Sequence, residues 1–137
     1  MKFFFDNNVS ERIARAVACL AEFEKDEVSH LKEKFLPNSK DVEWIPALAK
    51  EKDWIIISGD CKLRKKPDER TVFYGAGLTT FFLAPGWINV GFWEQAALLV
   101  RWWPSIRNQA SLAEAGSVFE IPFRQTGRFK PIAPYGV

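Results

Sequence analysis

Two apolar runs end on an aspartate. Phe3-Phe4-Phe5 runs into Asp6, and Trp54-Ile55-Ile56-Ile57 runs through Ser58-Gly59 into Asp60. A short aromatic or β-branched run closed by polar turn residues reads as a buried strand. Between the two lies a helical pattern, a further short strand and a second helical pattern. Such β-α-β-α-β alternation packs as a parallel sheet with helices on both faces. In open sheets of that kind, ligands bind outside the carboxyl ends of the strands. Both aspartates stand at strand exits.

The individual elements follow from local signals. Lys2–Phe5 is the first strand. Ser10 is a helix cap, and Ile13, Ala14, Val17 and Ala18 recur at helical spacing through about Phe23. Glu27–Leu31 is the second strand and Pro37-Asn38-Ser39 a turn. Asp41 is the expected N-cap of a helix with Val42, Ile45, Leu48 and Ala49 on its apolar stripe, and Pro46 falls in its first turns. Trp54–Ser58 is the third strand. Thr71–Gly77 is ambiguous and Leu78–Leu83 a further strand. Phe92–Trp103 is a helix ended by Pro104, Val118–Ile121 an edge strand, and Gln125–Val137 an extended tail rich in Pro and Gly. The chain of 137 residues therefore reads as one domain over 1–124 with a tail over 125–137.

Charge enters through its distribution, because the net formal charge of +2 is mild. Residues 61–70 hold five Lys/Arg against two acids. Lys62, Arg64, Lys65 and Lys66 could grip a phosphate backbone beside Asp60, or be ordinary solvated charge. Arg124, Arg128 and Lys130 interleave with Phe123 and Phe129, a mix that suits single-stranded RNA or packing on a protein partner. Trp87, Phe92, Trp93, Trp102 and Trp103 are expected to divide between core and a partner surface. Cys19 falls on the expected apolar helix face and is read as core. Two cysteines without metal spacing fit a reducing, cytoplasmic setting. The first residues do not read as a signal peptide, and no stretch reaches membrane-spanning length.

Several carboxylates together suit a hard divalent cation. Asp6 and Asp60 are either metal ligands or turn carboxylates bonded to nearby amides. Asn8 could ligate through its carbonyl or cap the first helix. Asp41 and Glu43, two apart, do not share a helix face, so one of them is expected to point at the site. A site of this composition supports metal-assisted phosphodiester hydrolysis, in which Mg²⁺ or Mn²⁺ lowers the pKa of a bound water and no dedicated protein base is required. That matters because His30 is the single histidine, read as structural. No serine- or cysteine-hydrolase motif, Walker A sequence or dinucleotide fingerprint is present.

The order Phe-Phe-Phe-Asp6-x-Asn8, Asp41-x-Glu43, Ile-Ile-Ser58-Gly59-Asp60 resembles the PIN-like superfamily, and within it the compact branch with VapC-type toxins. The resemblance covers residues 1–85. It implies an α/β fold, a three-layer α/β/α sandwich around a mainly parallel sheet. It further implies a Mg²⁺- or Mn²⁺-dependent endoribonuclease acting on RNA, the toxin of a toxin–antitoxin pair, with a cognate antitoxin and a homodimer as partners. By position, Asp6, Asp41 (or Glu43) and Asp60 resemble the family's acids, and Ser58 the small hydroxyl residue before the last of them, which orients that acid or the metal-bound water. Asn8 accompanies Asp6 as in several members. Asp68 is the nearest counterpart of a fourth acid. Two other readings compete: a PIN-like domain that binds nucleic acid or protein without cleaving, and a phosphoacceptor domain using Asp60. Against the latter, the first strand exit offers one acid, followed by Asn7 and Asn8.

Overall fold

The computed structural model describes residues 1–36, 38–59, 76–124 and 127–132, apart from the side chains of Asp41 and Val42. Expectations placed on Asp60, Lys62, Arg64, Lys65, Lys66, Asp68, residues 71–75 and the side chain of Asp41 lie outside the described residues.

Strands β1 (Lys2–Phe5), β2 (Glu27–His30), β3 (Trp54–Ser58), β4 (Thr80–Leu83), β5 (Val118–Ile121) and β6 (Lys130–Pro131) form one sheet in the order β2-β1-β3-β4-β5-β6. All pairings are parallel except β5–β6. Val118–Ile121, expected at an edge, is instead covered by β6, which comes from the segment expected as a tail. Helices α1 (Glu11–Ala21), α2 (Leu31–Lys34), α3 (Asp41–Glu51) and α4 (Phe92–Leu112) complete an α/β architecture.

Side-chain alternation divides the core into two. Phe3, Phe5, Ile55, Ile57, Phe81 and Phe119 face one way, under α1 and α4. Phe4, Ile56, Phe82 and Val118 face the other way, under α3 through Trp44, Ile45 and Leu48. Because both faces are covered, the inner strands β1, β3 and β4 are mainly apolar, as a buried parallel sheet requires. Aromatic rings fill both layers: Trp103 packs on Phe3 at 4.7 Å between centroids, and Trp44 on Phe4 at 5.1 Å.

The helix on one face between β1 and β2 advances toward one edge of the sheet, and α4 on the same face advances toward the other. The β4–α4–β5 crossover therefore has the opposite hand to β1–α1–β2, although parallel crossovers overwhelmingly share one hand.

Three local expectations are corrected. Cys19 is exposed. It lies roughly 200° around α1 from Val17, at about 100° per residue, so it misses the stripe of Ile13, Ala14, Val17 and Ala21. Helix α1 ends at Ala21 and hands over to a 3₁₀ turn at Glu22–Glu24. Helix α4 does not stop at Pro104 but continues to Leu112. Pro104 is exposed, as is Pro46 in α3, so the carbonyl that each proline deprives of its N–H partner can turn to water. Trp87, Trp102 and Trp103 are core residues, whereas Trp93 is 82% exposed.

Candidate functional site

β1 and β3 are neighbours in register, with Phe5 opposite Ile57. The chain passes from β1 through α1 to β2 on one side, and from β3 to β4 on the other, so the strand order switches between β1 and β3 and a crevice opens at their carboxyl ends. Asp6 sits at that point. Its backbone N–H extends the ladder to the Ile57 carbonyl at 3.2 Å.

The Asp6 carboxylate is 2% exposed, and a buried carboxylate needs donors. It has them from both strand exits. The Ser58 hydroxyl donates to Oδ2. The backbone N–H groups of Asn8 and Gly59 donate to Oδ1 at 3.0 and 3.3 Å. Ser58 is itself fully buried. The structure thus joins Asp6, Asn8 and Ser58, three residues singled out from the sequence, although Asn8 engages Asp6 through its backbone. Gly59 completes the junction. A Cβ there would stand 2.9 Å from the Asn8 carbonyl oxygen, so the close approach of the two loops demands glycine.

Helix α3 begins at the same end of the sheet, but its first turn differs from expectation. Lys40, not Asp41, is the N-cap, which makes Asp41 the first helical residue. Glu43 is exposed, and its carboxylate accepts from the Lys40 backbone N–H at 3.2 Å. Glu43 therefore serves the helix start as the third residue of a capping box does. Ser10 is the N-cap of α1, but its hydroxyl makes no capping bond.

His30 contributes a support that its sequence setting did not reveal. It is fully buried at the end of β2. Its Nδ1 accepts from the Lys32 N–H at 3.1 Å, which leaves the proton on Nε2 to bond the Val9 carbonyl at 2.7 Å. The ring thereby ties the loop carrying Asp6 to the start of α2. Asp26 and Arg107 form a second unforeseen feature. The buried Asp26 side chain receives Arg107 Nε at 2.5 Å, Arg107 Nη2 at 3.2 Å and the Met1 amine at 2.8 Å. Burial pushes the Asp26 carboxyl up, but the hydrogen bonds and charges of Arg107 and the amine outweigh it and hold the carboxyl below the usual aspartate range.

The oxygen donors at the β1–β3 junction are of the kind a hard cation takes. Among the described residues no group of three or more His, Cys, Asp or Glu could hold a metal ion, so Asp6 would need acids from beyond them. Among the described residues, too, no helix is long and apolar enough to cross a membrane.

No curated protein and no solved structure matches the chain. A family model described as PIN like domain matches residues 1–85, from β1 through β4, with α4, β5 and β6 beyond it. That match covers more than half of the 137 residues, and the chain belongs to the PIN-like domain family.

Proposed function

We propose that the protein is a metal-dependent endoribonuclease and the toxin of a toxin–antitoxin pair. The observation that carries the nuclease reading is the placement of Asp6: a buried carboxylate at the crevice between β1 and β3, fixed by donors from both strand exits. Its family is generally nuclease-related. The toxin assignment rests on the resemblance of the acidic motifs to the VapC-type branch.

In this reading Asp6 and Asp60 hold a Mg²⁺ or Mn²⁺ ion, with Asp41 as the third acid. The bound cation supplies an activated water and neutralises charge growing on the phosphoryl oxygens. Ser58 orients Asp6 by its hydrogen bond, and Gly59 lets the β3 exit approach it closely. Lys62, Arg64 and Lys65 hold the RNA backbone. The protein partners are a cognate antitoxin and a second copy of the chain.

One observation favours a noncatalytic domain instead. Asp6 already serves three protein donors and Glu43 serves a helix cap, which are structural uses of both acids. Calorimetric titration of Mn²⁺ into the wild type and the Asp6→Asn/Asp60→Asn variant, with both assayed on mixed RNA, decides between them. Binding and cleavage by the wild type, both lost in a folded variant, support the nuclease. A folded wild type that neither binds Mn²⁺ nor cleaves overturns it.

A further inference from the structure

Beside the Asp6 loop, on the β2 side of the crevice, runs a polar groove of about 300 Å³ lined by Asn7, Ser10, Glu11, Arg12, Arg15 and Lys32. It begins one residue from Asp6. Three cations line it against one carboxylate. Arg15 lies 3.8 Å from Glu11 at the surface, where such a contact is weak. Arg12 and Lys32 are exposed and make no ion pair with any described residue. The groove thus presents positive charge without an internal counter-charge for two of its three cations. The Ser10 hydroxyl, free of capping duty, adds a donor.

The two walls are fixed relative to one another. One wall is the Asn7–Ser10 loop with the first turn of α1; the other is Lys32 at the start of α2. His30 spans them, donating to the Val9 carbonyl and accepting from the Lys32 N–H. A buried ring with both nitrogens engaged therefore fixes the backbone of the two walls, and the cations project from a frame that is set before any ligand arrives. On the other side of Asn8, the apolar cleft between Ile13 and Trp87 measures about 30 Å³, too small for a base or a phosphate with its water.

We infer that Arg12, Arg15 and Lys32 seat backbone phosphates of a single RNA strand, leading it past Asn7 to Asp6. This rests on the ribonuclease reading and gives the strand a path over the carboxyl ends of β1 and β2. Contacts of this kind carry affinity and register rather than base selection.

The test is fluorescence anisotropy of a labelled single-stranded RNA in EDTA across a KCl series, with Mn²⁺-dependent cleavage read separately. The proteins are the wild type, Arg12→Ala/Lys32→Ala, and Lys50→Ala as a control for losing an exposed charge elsewhere. Each lost phosphate contact removes about 0.7 from the slope of log affinity against log salt. The double variant is therefore expected to bind at least about tenfold more weakly, with a slope shallower by about 1.4. Equal affinity and slope in the double variant and the Lys50→Ala control overturn the groove and leave the nuclease reading standing. A wild type that does not bind RNA in EDTA also overturns the groove, and its cleavage with Mn²⁺ then decides the nuclease reading independently. Inorganic phosphate is titrated against the same proteins. Phosphate binding that depends on Arg12 and Lys32, without RNA binding that does, overturns RNA as the source of the phosphate.

Discussion

Ser58, the last residue of β3, donates its hydroxyl to Oδ2 of Asp6, the first residue past β1, so one hydrogen bond closes the seam where the two central strands end. Both side chains are buried, and neither group can turn to water instead. Ser58→Ala removes a donor from a buried acceptor, which costs about 1–3 kcal/mol. Urea unfolding is expected to show that loss. In the proposed nuclease, cleavage is expected to fall at least about tenfold, the rate equivalent of about 1.4 kcal/mol. Unchanged stability would mean that the hydroxyl does not bear on Asp6.

Gly59→Ala tests the same junction from the backbone. The added Cβ would meet the Asn8 carbonyl oxygen at 2.9 Å and its carbon at 3.2 Å. Those atoms are backbone in the loop that also bonds Asp6, so they cannot swing aside as a flexible side chain can. The variant is expected to lose about 1–3 kcal/mol, as overpacked sites do. It is also expected to lose Mn²⁺ affinity, because the β3 exit can no longer approach Asp6. Calorimetry on the folded variant checks the second effect, and wild-type Mn²⁺ affinity would count against it.

How far the sequence reads true depends on whether a feature is local. Phe3-Phe4-Phe5 and Ile55-Ile56-Ile57 declare themselves as buried strands because both faces of a parallel sheet are covered, and their meeting at Asp6 and Ser58 follows from the alternation. The strand order β2-β1-β3-β4-β5 is also that of phosphoacceptor domains, so strand order alone does not choose between the two families. The family match does. Other features were illegible because they join distant segments. Nothing near Asp26 announces Arg107, 81 residues away. Nothing beside His30 names Val9 as its acceptor. Pro104 misled because a proline's cost in a helix depends on which face it occupies, and that face is set by the packing of Trp102, Trp103 and Ile106.

His30→Leu is expected to show what the ring holds together. It keeps an apolar side chain in a fully buried position but leaves the Val9 carbonyl and the Lys32 N–H without their partner. Two orphaned backbone groups cost about 2–4 kcal/mol together, at about 1–3 kcal/mol each with partial relief at the loop surface. Hydrogen exchange is expected to quicken at Lys32 and through residues 7–10 more than at β4 or β5. Uniform quickening across the sheet would mean that the ring acts as core filler and not as a tie between the loop and α2.

Arg107→Ala carries a pH signature. The folded-state pKa of Asp26 is lowered: burial raises it, and the hydrogen bonds and charges of Arg107 and the N-terminal amine overcome that. A carboxyl with a depressed folded pKa adds stability that is fully present above its unfolded pKa and is lost as pH falls through the folded value. Removing Arg107 leaves the buried Asp26 with less compensation, and at neutral pH the variant is expected to be less stable by about 2 kcal/mol. As pH drops below the usual aspartate range, Asp26 takes up its proton first in the variant and then in the wild type, so the gap should close. Acid titration followed by tryptophan fluorescence is expected to place the variant's unfolding midpoint at higher pH. A gap that stays constant down to the acid limit would assign the loss to the packing of the Arg107 stem instead of its charge.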